Sequence, residues 1–285
     1  MPERDRYIPG VPCWVDSTQP DPPAAAEFYG GLFGWEFEDR MPADAPGEYL
    51  VARLRGHDVA AVGSQPAGVP PAATWNTYVW VESADDTAAQ ARDAGGSVLM
   101  EPFNVLDAGR MAVLADREGA AFYVWEANGH RGAQIVNEPG SWNWSDLTTR
   151  DPGAARAFYG AVFGWEIDAF DPDGGAMVRL PGYGDFLEQR DPGLRDRLAE
   201  YQAPEGFGDA VAWLTPATDA GPGADSPPHW GVTFTVEDAD ATAERAGELG
   251  GDVIVPPFDA PWVRLAVLSD PQGGVFSVGK FVPPT

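Results

Sequence analysis

Three stretches of this 285-residue chain occur twice and in the same order, which restricts it to folds built as two copies of one unit. Asp21 to Phe37 reads DPPAAAEFYGGLFGWEF and Asp151 to Ile167 reads DPGAARAFYGAVFGWEI, identical at 11 of 17 positions at an offset of 130. ESADDTAAQARDAGGSVLMEPF from Glu82 matches EDADATAERAGELGGDVIVPPF from Glu237 at 155, and MAVLADREGAAFYVW from Met111 matches LAVLSDPQGGVFSVG from Leu265 at 154. The growth from 130 to 155 means that the second copy holds about 25 extra residues, which the sequence places at 181–209. Within them, Pro192 to Tyr201 has a helical pattern with Leu194, Leu198 and Tyr201 on one side. Lying outside the repeated core, it is either a lid or an inter-domain packing element. The units are then 1–130 and 142–285, joined by a linker at 131–141 inside the polar stretch Asn128 to Ser141.

Each copy divides again. In the first, Pro12 to Thr18 is a predicted strand, and Asp21 caps a helix with prolines in its first turn, which Gly34 ends. Strands follow from Trp35, at Tyr49 to Leu54 and at Val59 to Val62. After the Pro/Gly/Ala run Gln65 to Ala73 the same order returns: a strand at Thr77 to Val81, a helix at Ala84 to Ala94, and strands at Ser97 to Met100, Met111 to Ala115 and Ala121 to Glu126. The second copy has its own connector, Thr215 to Pro228, and both copies carry a D-x-x-G turn before the last strand, at Asp116 and Asp270. The predicted class is α+β: a tandem duplication of a domain made of two paired βαβββ modules.

Charge narrows the partners. With 18 basic and 44 acidic residues the formal charge is −26, which repels phosphate backbones and anionic lipid. The expected partner is a small molecule, with no nucleic acid and no membrane, for a monomer or homodimer. Cys13 is the single cysteine, expected as a small strand residue, so no intrachain disulfide can form. No signal peptide or membrane span is evident, which sets a cytoplasmic location as the default. No nucleophile–His–acid arrangement, phosphate loop or dinucleotide fingerprint is present. His57, in a turn, and His130, in the linker, are expected in solvent.

Two βαβββ halves per copy, the FYG-x-x-FGWE segments at Phe28 to Glu36 and Phe158 to Glu166, and the D-x-x-G turns together resemble the vicinal oxygen chelate (glyoxalase/bleomycin-resistance/dioxygenase) superfamily over nearly the whole chain, twice. It is similar in detail to two-domain actinobacterial glyoxalase-like proteins and hydroxylases. The resemblance implies modules curled around a cleft. It also implies a divalent metal held by His, Gln or Glu from first strands and Glu from the last. By the family's spacing those positions carry Trp14, Asn76 and Tyr123 in one copy and Trp144, Gly231 and Ser277 in the other. None of these is a strong divalent-metal ligand, so no cofactor is expected. The displaced alternative is Asp146 with His229.

What fills such a cleft is then aromatic. Trp14, Asn76, Tyr123, Trp125, Trp144 and Trp230 are the expected ligand-binding residues, and Asp16 and Asp146, two residues beyond the tryptophans on the same strand face, are the candidate general bases. Trp80, Trp142, Trp213 and Trp262 are further candidates for the wall. The leading expectation is a glyoxalase-like protein that binds a small aromatic or hydrophobic molecule without the usual metal, for sequestration or acid–base catalysis. The alternative is a metal-dependent glyoxalase-like lyase or a dioxygenase/hydroxylase with displaced ligands. In a third reading one copy is a structural partner only.

Overall fold

The structure, a computed structural model, describes residues 3–42, 44–66, 68, 70–169, 175–217 and 226–283. The second connector, Thr215 to Pro228, lies largely outside them, as do two residues of the first. In the first copy the elements run β1 (Pro12–Gln19), α1 (Pro22–Phe33), β2 (Glu36–Asp39), β3 (Tyr49–Leu54) and β4 (His57–Ser64). They continue with β5 (Thr74–Trp80), α2 (Ala84–Asp93), β6 (Ser97–Val105), β7 (Gly109–Ala115) and β8 (Ala121–Ala127). The local reasons are those read from the sequence. Asp21 accepts a hydrogen bond from the Ala24 amide ahead of two prolines, and Gly34 closes α1 in the left-handed region at φ 73°.

The second copy repeats this with β9 (Trp142–Thr149), α3 (Pro152–Phe163), β10 (Glu166–Ala169) and β11 (Ala176–Arg179). The insertion follows, holding α4 (Tyr183–Arg190), α5 (Leu194–Glu200) and a 3₁₀ turn (Phe207–Asp209). The chain resumes as β12 (Ala210–Pro216), β13 (His229–Thr235), α6 (Ala239–Glu248), β14 (Asp252–Ala260), β15 (Val263–Ser269) and β16 (Val275–Phe281). The helix expected at Pro192 to Tyr201 is α5; α4, whose pattern is weaker, was not foreseen.

Each copy is one eight-stranded sheet. The orders are β2-β3-β4-β1-β5-β8-β7-β6 and β10-β11-β12-β9-β13-β16-β15-β14. The two modules of a copy meet at an antiparallel pair of first strands, β1 with β5 and β9 with β13. The fold is therefore the duplicated, paired-module α+β architecture. Among the described residues no helix is long and apolar enough to cross a membrane.

The repeated motifs do their main work between the copies. Tyr29 of α1 donates to Asp270 at 2.8 Å, and Tyr159 of α3 donates to Asp116 at 3.1 Å, so each FY tyrosine reaches the D-x-x-G turn of the other copy. Trp75 and Trp230 donate to those same hydroxyls, both at 2.9 Å. The FGWE tryptophans are reciprocal as well: Trp35 donates to the Gly140 carbonyl and Trp165 to the Gly10 carbonyl, each just ahead of the other copy's first strand. Phe33 packs on Phe234 at 5.0 Å and Phe122 on Phe163 at 5.8 Å. Helices α1 and α3 thus lie between the two sheets, and the buried apolar residues of both copies form one continuous core.

Candidate functional site

Strand alternation sends the other face of each sheet away from this shared core. In the first copy Trp14 pairs with Tyr78, which pairs with Tyr123, and Asp16 pairs with Asn76 and Ala61, so these side chains share the outer face. They converge on one carboxylate. Asp16 accepts from Asn76 at 2.8 Å, Tyr78 at 2.7 Å and Tyr49 at 3.1 Å, and Trp14 donates to the Tyr49 hydroxyl at 3.0 Å. Burial raises the Asp16 pKa and the three donors oppose the rise.

This first cleft is full. Tyr78 lies 4.6 Å from Tyr123 and 6.3 Å from Trp125, ring centre to ring centre. His130, expected in solvent, instead folds over the cleft. Its ring meets Trp14 edge-on at 4.4 Å and Trp125 at 5.9 Å, its carbonyl accepts from the Trp125 indole, and its Nε2 is buried without a partner. Burial lowers its pKa to about 4. The linker is pinned there by backbone bonds from Ala133 to Cys13 and from Gln134 to Asp58, which a sequence reading of a polar, glycine-containing stretch does not reveal. His57 is also engaged, 3.0 Å from Glu3.

The second cleft has the same frame and different contents. Asp146 pairs with Trp213 on one side and Gly231 on the other, and Trp144 pairs with Thr233, which pairs with Ser277. Where the first copy has Asn76, Tyr78 and Tyr123, this one has Gly231, Thr233 and Ser277. The counterpart of Tyr49, two residues before the β11 position that aligns with Val51, is Gly175. A Cβ added at Gly231 would meet nothing nearer than the Asp146 carbonyl oxygen at 3.8 Å. Among the described residues Asp146 keeps a single side-chain donor, Thr233 at 2.9 Å, and burial raises its pKa to about 6. Asp16 is 5% exposed, whereas Asp146, Trp144, Trp213 and Ser277 are all partly accessible.

The walls of this opening are apolar. Met177 and Trp213 stand beside Asp146 on the first module; Val267, Leu265, Val255 and Phe258 follow Ser277 outward on the second. Phe207 of the insertion meets Trp144 edge-on at 6.0 Å, the place that His130 takes on Trp14. Tyr201 packs on Phe281 at 5.4 Å. The insertion therefore packs on the outer face of the second copy at Trp144 and Phe281.

Of the residues expected at the site, Trp14, Asp16, Asn76, Tyr123 and Trp125 come together in the filled cleft, and Trp144 and Asp146 in the open one. Trp230 does not belong with them. It pairs with Leu147, an odd number of residues from Asp146, so alternation turns it to the inner face where it binds Tyr159. Tyr49, Tyr78 and Thr233 were missed. Comparing the copies position by position would have shown Tyr78 and Tyr123 exchanged for Thr233 and Ser277.

Comparison with known proteins agrees with this frame. The description "Glyoxalase/Bleomycin resistance protein/Dioxygenase superfamily" matches residues 14–124, and "Glyoxalase-like domain" matches 144–279. CFP32 of Mycobacterium tuberculosis, a protein that carries a glyoxylase name, is 40% identical over 291 residues, covering 99% of either chain. The chain belongs to the glyoxalase/bleomycin resistance protein/dioxygenase superfamily. Within it, the anthracycline biosynthesis protein DnrV of Streptomyces peucetius is 37% identical, with 96% of this chain and 94% of that protein covered. The superfamily fold is shared with the Mn(II)-bound glyoxalase of Novosphingobium aromaticivorans (TM-score 0.59, 14% identity, 95% and 82% covered). It is shared too with the 2,3-dioxygenase LapB of Pseudomonas sp. KL28 (0.60, 12%, 98% and 96%).

The residues present do not fit a divalent metal at the superfamily's usual position. On the sheets the row that begins at Trp14 runs through Tyr78 to Tyr123, and the row from Trp144 runs through Thr233 to Ser277. The β5 and β13 members are thus two residues along from Asn76 and Gly231. Indole, phenol and hydroxyl groups make no strong site for such an ion. Asp146 and His229 do share a face, but the His229 ring is exposed and its Nδ1 lies 2.8 Å from the Pro227 carbonyl. Among the described residues no three His, Cys, Asp or Glu side chains gather.

Proposed function

We propose that this protein binds a small aromatic or hydrophobic organic molecule in the cleft of its second copy. Asp146 is the polar anchor there, and the first copy is the scaffold. One observation carries this reading: around equivalent aspartates, the first cleft holds Tyr49, Asn76, Tyr78 and Tyr123, and the second holds Gly175, Gly231, Thr233 and Ser277. A concave apolar wall with a few placed polar groups is the usual form of a small-molecule site. Trp144 offers an aromatic wall, and Phe207 meets it edge-on at one end. The anthracycline name of the Streptomyces relative, a class of fused aromatic rings, supports an aromatic ligand.

The chemistry available to this cleft is proton transfer. A carboxyl with a pKa of about 6 exchanges protons near neutral pH, which suits a general base acting on an acidic C–H or O–H of a bound ring system. Trp144, Trp213 and the β15 side chains border it with apolar surface; Thr233 fixes its orientation. Without that chemistry the same arrangement sequesters its ligand.

The test is calorimetric titration of the untagged protein with a panel of polycyclic aromatic metabolites, before and after chelation. The reading expects a one-to-one binder tighter than about 1 mM whose affinity chelation leaves unchanged. A panel with no such binder contradicts it. Binding or turnover that chelation abolishes and a divalent metal restores would favour the metal-dependent lyase or dioxygenase alternative.

A further inference from the structure

A second recess lies outside both clefts. It has a volume of about 430 Å³, inside the roughly 300–1,000 Å³ range of small-molecule sites. Its walls come from three parts of the chain: the N-terminal segment with Arg6, Ile8 and Pro9, the ends of β5 and β8 with Trp80 and Asn128, and the linker with Arg131. Tyr7 backs the Trp80 indole in a stacked arrangement at 6.2 Å, which leaves Trp80 half-buried as a platform.

The charge of this recess is opposite to that of the molecule. The chain carries 44 acidic residues against 18 basic ones, yet no Asp or Glu lines the recess and two arginines do. Those arginines are also unspent. Arg40, Arg53, Arg55, Arg92, Arg110, Arg179, Arg190, Arg195, Arg197, Arg245 and Arg264 all pair with carboxylates. Arg6 and Arg131, both exposed, have no carboxylate within 4.0 Å among the described residues, nor does Arg117, while Arg4, Arg150 and Arg156 bond to a tyrosine hydroxyl or to carbonyls. The Arg6 guanidinium lies 5.7 Å over the Phe186 ring of α4, which borders the recess from outside its lining. Two arginines without a carboxylate partner thus border one aromatic platform, and a planar ligand carboxylate offers them the bidentate pairing that the described residues do not.

We infer that this recess is a binding site for a planar aromatic carboxylate, its ring on Trp80 and its carboxylate between Arg6 and Arg131. Ile8, Pro9 and Ala127 give the ring an apolar border, and the Asn128 amide adds a donor at the rim. The site is separate from the second cleft and does not depend on its contents. The protein's negative field slows the approach of any anion, so the site selects for ligands that pair stacking with charge rather than for anions in general.

The probe is 2-naphthoate, titrated calorimetrically into the full chain, with the neutral 2-naphthalenemethanol as its comparison. The expected result is one site with submillimolar affinity for 2-naphthoate and about tenfold weaker binding of the alcohol. Arg131→Gln and Arg6→Gln each weaken 2-naphthoate by about tenfold and leave the alcohol unchanged. Because both arginines are exposed, thermal melts of the variants should match the parent protein. Ser277→Tyr, which fills the second cleft, should leave this binding intact. The inference is overturned if acid and alcohol bind equally, if both arginine variants retain full affinity, or if no heat is detected at millimolar probe. Loss of 2-naphthoate binding in Ser277→Tyr also overturns it and assigns the probe to the cleft, so the two sites fail separately.

Discussion

Asp146→Asn is expected to stabilise the protein, and by an amount that depends on pH in a defined way. The carboxyl is carried from 3.8 to about 6 by burial, and only Thr233 opposes the shift. At about 1.4 kcal/mol for each tenfold change in proton affinity, ionised Asp146 costs the folded state about 3 kcal/mol. Between pH 3.8 and about 6 the folded chain holds a proton that the unfolded chain has released. Stability therefore falls as pH rises through that window, and the cost is complete above it. Asparagine keeps an oxygen for the Thr233 hydroxyl and carries no charge. The gain in unfolding free energy should be about 3 kcal/mol at pH 8, about 1.6 kcal/mol at pH 5 and about 0.6 kcal/mol at pH 4. Urea melts followed by far-UV circular dichroism measure it. A variant that is no more stable at pH 8, or whose gain is the same at pH 4 and pH 8, would refute the claim that this carboxylate sits desolvated at the cleft floor.

Other outcomes follow from the same contacts. His130 is held near pKa 4, against an ordinary value of 6.5, so its stability contribution is present above 6.5 and lost as pH falls through 4. His130→Phe, which keeps a ring between Trp14 and Trp125, should abolish an acid loss of about 3 kcal/mol in the same urea melts. Because Asp146 and His130 act in opposite directions over overlapping windows, the parent protein should show a flatter profile than either variant. Tyr29→Phe removes the donor to buried Asp270 and the acceptor for Trp75, and should cost about 2–3 kcal/mol in chemical unfolding at pH 7. A fragment of residues 141–285 would expose Phe234, Phe276, Tyr159 and Trp165, and should sediment as aggregates where the full chain does not.

The duplication, the module order and the site of the insertion were legible because each leaves a local trace: repeated blocks, an N-capping Asp before proline, a Gly that ends a helix. The use of the repeated residues was not. Tyr29 and Asp116 sit in conspicuous motifs, but Tyr29 meets Asp270 and Asp116 meets Tyr159, pairings 241 and 43 residues apart that no spacing rule supplies. Alternation sufficed to put Trp14 with Asp16 and Trp144 with Asp146 on one face, because each pair lies on one strand. Trp230 went astray although it adjoins Gly231, whose position faces the cleft, because alternation along β13 was not applied to it. His130 looked solvated in a polar linker, and only the backbone bonds to Cys13 and Asp58 bring it over the cleft.

The central claim, that the second cleft is the open one, is tested most directly by filling it. In Thr233→Tyr/Ser277→Tyr the second copy receives the side chains that occupy the first, at the outer-face positions paired in register with one another. For an aromatic ligand whose affinity Trp80→Ala leaves unchanged, the account predicts one site per chain in the parent protein and at least about a hundredfold loss of affinity in this variant, with the fold intact by circular dichroism. Undiminished binding in the filled variant would contradict it.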